Sequence, residues 1–139
     1  MVARRCGGVG DRVTPISPGW APEKFLSVTA LSCSAQGVVV VRVVGEVDLA
    51  TLGWLREHLH KYVSSDHRGL VLDCTEVSFL AACGISLLVE IAEEACAQGM
   101  ALRLVTHTPL VLRALEAALA DQLIPRATTV AEAVAQCAA

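Results

Sequence analysis

The run Leu70-Val71-Leu72 constrains the fold of this chain more than any other stretch. Three consecutive aliphatic residues leave no solvent-facing side, so a strand there is covered on both faces. Such a strand belongs to a sheet with helices packed against it. The pattern predicts a strand over Leu70–Cys74, a short loop through Val77-Ser78-Phe79, and an apolar helix that opens at Ala81-Ala82-Cys83-Gly84. A helix N-terminus gathers unpaired N–H groups and partial positive charge. The four small residues at that point therefore decide what the turn can do. None of them is a serine, a threonine or a carboxylate.

The flanking sequence extends this picture. Leu26 to Ser34 and Val38 to Val44 read as two strands joined at Gln36-Gly37, a hairpin. Asp48 or Thr51 caps a helix carrying Leu52, Leu55, Leu59 and Val63 at helical spacing. Ser64, Ser65, Asp66 and Gly69 form the loop that follows. After the strand at Leu70, the stripe Ile85, Leu88, Val89, Ala92, Ala95 and Cys96 predicts a helix closed by Gln98-Gly99. Ala101 to Thr106 is the next strand. Pro109 starts a helix with Val111, Leu112, Leu115, Ala118 and Leu119. A short strand falls near Ile124, and Thr128 or Thr129 opens a last helix with Val130, Ala133, Val134 and Cys137. Alternation after the hairpin implies parallel strands with crossover helices. The expected class is α/β, with a mixed sheet of four to five strands and about four helices.

Residues 1–24 are rich in Gly and Pro and lack periodicity, so they are read as a flexible tail, with the domain over 25–139. One domain of this length buries a core without staples. A net charge of −3 supplies no basic surface for nucleic acid. No run is long enough to span a bilayer and no secretory signal is visible, so a cytoplasmic protein is expected. Cys6, Cys33, Cys74, Cys83, Cys96 and Cys137 form no C-x-x-C pair and have no His at ligand spacing. They are read as free buried thiols rather than disulfides or metal ligands.

Polar residues on the predicted elements give no complete catalytic constellation. Cys83 at a helix start invites a reactive thiol, with His107 as the available base, but nothing supplies an orienting third group. Asp73 is read as satisfying backbone donors in the loop after its strand. His58 and His60 are two apart on a helix, face different directions and read as solvated, not as a metal pair. Glu90, Glu93 and Glu94 read as an exposed acidic face. The chain is thus expected to be no enzyme and to need no metal or cofactor.

The element order, Gly45-Glu46-Val47-Asp48, and the Leu72-Asp73 to Val77-Ser78-Phe79 to Gly84 run together resemble the STAS domain, over about residues 26–137. As a free-standing domain the chain resembles bacterial anti-sigma factor antagonists. The resemblance implies a binding protein that sequesters an anti-sigma factor of serine-kinase fold and frees a sigma factor. In that family the turn before the second helix usually reads Asp-Ser-Ser-Gly, and the kinase phosphorylates the first serine. Aligned on Phe79 and Gly84, this chain has Ala81 for the aspartate, Ala82 for the target serine and Cys83 for the second serine. Only a hydroxyl carries a phosphate, so the usual switch is expected to be absent. The expected partner-binding residues are Glu46, Asp48, Ala81, Ala82, Cys83 and Gly84. Asp48 can also serve as a cap and Glu46 as a solvated charge. The alternatives are a ligand- or redox-sensing module built on Cys83, or a scaffold subunit of a larger assembly.

Overall fold

The structure is a computed structural model that describes residues 25–33, 37–63 and 67–138. The expected tail over 1–24, Ser34, Gln36, the Ser64-Ser65-Asp66 loop and Cys6 lie outside the described residues. The elements run β1 (Leu26–Cys33), β2 (Val38–Val47), α1 (Leu52–Val63), β3 (Gly69–Leu80), α2 (Ala82–Ala97) and β4 (Ala101–Val105). Then come α3 (Pro109–Ala117), a 3-10 turn at Ala120–Gln122, β5 (Arg126–Ala127) and α4 (Val130–Ala138).

The strands lie in sequence order, β1-β2-β3-β4-β5. β1 pairs antiparallel to β2, and every later pair is parallel. The expected hairpin and crossovers are therefore present. Alternation along β2 explains the layering. Val39, Val41 and Val43 join the core under α1, α2 and α3, whereas Val38 and Val40 face the smaller cluster under α4. β3 does the same, with Leu70, Leu72 and Cys74 on one side and Val71 on the other. Leu70-Val71-Leu72 is fully buried, as a strand sandwiched between two helical layers must be. An apolar void of about 10 Å³ remains on the three-helix side, lined in part by Val43, Leu72, Cys74 and Leu88. It has room for about one water, and its lining is entirely apolar.

Two strands run further than the sequence pattern suggests. β2 continues through Gly45, Glu46 and Val47, and β3 continues through Thr75 to Leu80. The expected loop after Cys74 is thus strand, and Asp73 stands inside β3 rather than at its end. Alternation fails here because β3 carries extra residues: Arg42 pairs with Asp73 but Val44 with Glu76, and Gly45 with Val77 but Glu46 with Phe79. Each shift is a bulge that interrupts the period of two. Asp73 supports the first bulge, its carboxylate accepting from the Thr75 N–H at 3.1 Å and hydroxyl at 2.7 Å. Across it, Arg42 and Glu76 form an ion pair.

α4 starts with a reciprocal cap. Thr129 Oγ1 accepts from the Glu132 N–H at 3.1 Å, and the Glu132 carboxylate accepts from the Thr128 N–H at 2.7 Å. The cysteines do not share one environment. Cys74 and Cys137 are buried, Cys83 is half-buried and Cys96 is exposed, so the expectation of buried thiols fails for Cys96. It sits on the outer side of α2, whose buried stripe runs through Leu87, Leu88, Ile91 and Ala95 instead. Burial, assisted by the neighbouring Asp73, pushes the Cys74 thiol up to about 12 and leaves it protonated and unreactive.

The α1–α2 crossing corrects two further expectations. His58 is buried, its Nδ1–H donating to the Trp54 carbonyl at 2.8 Å and its ring 4.2 Å from that of Trp54. Residues on the other side of α1 meet α2. Arg56 donates to both oxygens of Glu90 at 2.5 Å, and His60 lies between Glu90 and Glu94. Glu90 and Glu94 therefore face a neighbouring helix, and among the three acidic residues only Glu93 is fully exposed.

The Arg56 hydrogen bond holds the Glu90 carboxyl below its ordinary value of 4.5, against a smaller opposing desolvation effect, with His60 adding to the lowering. A lowered carboxylate stabilises the fold above its unfolded value and loses that contribution as pH falls through the folded one. Glu90→Gln is accordingly expected to cost under about 1 kcal/mol at pH 7, the pair being solvent-screened. Urea unfolding of both forms should show the difference shrinking below pH 4.5, the ordinary carboxyl value. A difference that grows in acid would contradict the assignment.

Candidate functional site

The C-terminal edge of the sheet brings the expected site residues together. β2 and β3 end side by side, with Glu46 opposite Phe79 and Val47 opposite Leu80. The Ala81 N–H donates to the Val47 carbonyl at 2.8 Å and ties the start of α2 to the end of β2. Glu46 and Asp48 are thereby placed beside the Ala81–Gly84 turn.

The segment after β2 is pinned by its own side chains. Asp48 Oδ1 accepts from the N–H groups of Ala50 at 3.0 Å and Thr51 at 3.1 Å. Thr51 is 1% exposed, and its hydroxyl donates to the Glu46 carbonyl at 3.0 Å while accepting from the Asp48 N–H at 3.1 Å. Asp48 thus closes the turn, and Thr51 holds it down from beneath. Both residues considered as caps are used, in different roles. The fixed turn presents Leu49, 79% exposed, at its tip. Phe79, 44% exposed, stands on β3 opposite Glu46.

α2 begins at Ala82 after Ala81, whose φ of −76° and ψ of 164° are those of an N-cap, but no side chain caps it. Gly84 and Ile85 N–H groups return to the Ala81 carbonyl at 2.9 and 3.2 Å. Ala82 is exposed, Cys83 is half-buried and Gly84 is buried. A Cβ on Gly84 would lie 2.6 Å from Val47 Cγ1 and 2.8 Å from Leu80 Cδ1. Gly84 consequently acts by letting α2 seat on the ends of β2 and β3. His107, the base considered for Cys83, hydrogen-bonds through Nε2 to the Thr128 carbonyl at 3.2 Å. Among the described residues no hydrogen bond joins it to Cys83.

Exposed residues at this end of β2 and β3 include the apolar Leu49, Phe79 and Ala82 and the carboxylate-bearing Glu46. Leu49 and Phe79 are absent from the set that sequence reasoning selected. Their signal was faint, a large apolar residue directly after the cap Asp48 and another at the very end of a strand.

The chain thus folds as a mixed sheet with three helices on one face and a side-chain-pinned edge where β2 and β3 end. The chain matches the STAS domain family over residues 34–133 and belongs to it. Over 68 residues, 49% of this chain, it is 32% identical to the anti-sigma-F factor antagonist RsfB of Mycobacterium tuberculosis. That match spans 56% of the relative, a little over half its length. The crystal structure of an anti-sigma factor antagonist from Mycobacterium paratuberculosis superimposes with a TM-score of 0.74 at 24% identity, covering 81% of this chain and 93% of that one. The Bacillus cell fate determinant SpoIIAA in its phosphorylated form gives 0.61 at 17% identity, covering 79% and 98%. Both structures share the fold.

Proposed function

We propose that this protein is an anti-sigma factor antagonist: it binds an anti-sigma factor of serine-kinase fold through the C-terminal sheet edge and so frees a sigma factor. It acts as a binding protein in the cytoplasm and carries out no catalysis of its own. The relation to RsfB supports this role. The observation that carries the mechanism is the exposed Ala82 at the uncapped start of α2. A methyl group there accepts no phosphate, so the partner's kinase activity cannot switch the surface off. Binding is constitutive, with Leu49, Phe79 and Ala82 contributing apolar contact and Glu46 and Asp48 flanking it. Gly84 holds the helix in place from below.

Capture from the native cytoplasm, read by mass spectrometry, tests the proposal. The wild-type chain is expected to retain a kinase-fold anti-sigma factor. Ala82→Asp should weaken that binding at least about tenfold, or 1.4 kcal/mol, through a buried charge at the interface. Unfolding does not account for such a loss, since a carboxylate in the first turn of a helix favours the helix. Equal retention by both forms would remove the turn from the interface. Failure of the wild type to capture an anti-sigma factor would overturn the role itself.

A further inference from the structure

His60 of α1 and Glu90 and Glu94 of α2 meet at the helix crossing. His60 Nδ1 lies 3.0 Å from a Glu94 oxygen, and its Nε2 lies 3.2 Å from a Glu90 oxygen. Glu90 and Glu94 are four apart and project from one face of α2. Both ring nitrogens can donate only when the ring is an imidazolium. In that form a single positive group bridges two carboxylates.

The geometry points to a binding site here for a divalent first-row transition ion, zinc in particular. One ligand atom from each of the three residues can be chosen so that all lie within 4.8 Å of one another. One imidazole nitrogen with two carboxylates suits zinc or cobalt, whereas magnesium and calcium prefer oxygen alone. One ring nitrogen and an oxygen from each carboxylate would coordinate the ion, and where the ring carries a second proton that single proton leaves to water. Arg56 touches both Glu90 oxygens at 2.5 Å. A carboxylate has about four lone-pair sites, so Glu90 can keep this bond, which orients it, and still ligate. The Arg56 charge also offsets one of the two negative charges, which tempers affinity. Bound metal would staple α1 to α2, the helix whose first turn carries Ala82. This site is independent of the proposed partner.

Calorimetric titration of the whole chain with zinc, and with magnesium as control, tests the site. Wild type is expected to bind one zinc saturably, with a rise in melting temperature that EDTA reverses, and to ignore magnesium. His60→Ala and, separately, Glu94→Gln should each weaken zinc binding at least about tenfold, the loss that disturbing even a supporting residue causes. Their metal-free melting curves check that both variants fold. Because the chain has six cysteines, cobalt serves as a spectroscopic probe. A sulfur-to-cobalt charge-transfer band that persists in His60→Ala would assign binding to thiols and overturn the site. So would the absence of saturable zinc binding by wild type, or equal affinity in both variants.

Discussion

Gly45→Ala is expected to lower the unfolding free energy by about 3 kcal/mol or more, the largest effect of any single methyl group in this domain. Gly45 has φ +122°, a region that side-chain-bearing residues rarely adopt, and pairs with Leu26 across the hairpin. A Cβ there would lie 2.1 Å from the Phe25 carbonyl oxygen and 3.1 Å from Leu26 Cα. These are backbone atoms, and the same Phe25 carbonyl accepts from the Glu46 N–H at 3.0 Å. Relief therefore requires opening the β1–β2 pairing beside the proposed docking edge. Gly99→Ala is the natural control. Gly99 also has positive φ, +72°, but a Cβ there meets nothing within 4 Å. It should cost only the backbone penalty of about 1–2 kcal/mol. Urea unfolding of the two variants separates strain from collision; equal losses would mean that the Phe25 contact relaxes freely.

Gly84→Val is expected to destabilise the domain by about 2–3 kcal/mol, as overpacking a core does. The sign is not obvious, because glycine inside a helix costs roughly 0.5–1 kcal/mol relative to alanine, part of which valine recovers. Here the collision outweighs that gain. The added Cβ would approach Val47 Cγ1 and Leu80 Cδ1 at 2.6 and 2.8 Å, and valine adds two methyls to it. These neighbours are side-chain tips, so the strain should be relieved from the other side. Val47→Ala, costly alone because it opens a cavity, should recover about 1 kcal/mol or more when combined with Gly84→Val. Simple additivity would show that α2 moves away instead of pressing on Val47. In that case Ala82 moves with the helix, and partner binding should fall further than stability.

The hairpin, the crossovers and the sandwiched central strand were legible because each rests on a local pattern: alternation, helical spacing, turn residues. The legibility stopped where a bulge broke the pattern. From Thr75 to Leu80 the period of two slips, so strand reads as loop, and Phe79 loses its place beside Glu46. The α1–α2 cluster was hidden for another reason. His60 and Glu90 are thirty positions apart, and each alone looks like an ordinary surface residue of an amphipathic helix.

The sequence alone determined the α/β class, because strand and helix patterns alternate after the hairpin and the aliphatic run at Leu70 suits a strand covered on both faces. It also determined that no phosphate can attach at position 82, since a missing hydroxyl is a covalent fact that no packing changes. Only the tertiary structure decided that Gly84 is a packing residue, that Thr51 anchors the turn bearing Leu49, and that His60 meets Glu90 and Glu94. Those facts depend on distances between segments remote in the chain, which strand pairing and helix packing set and local propensity does not encode.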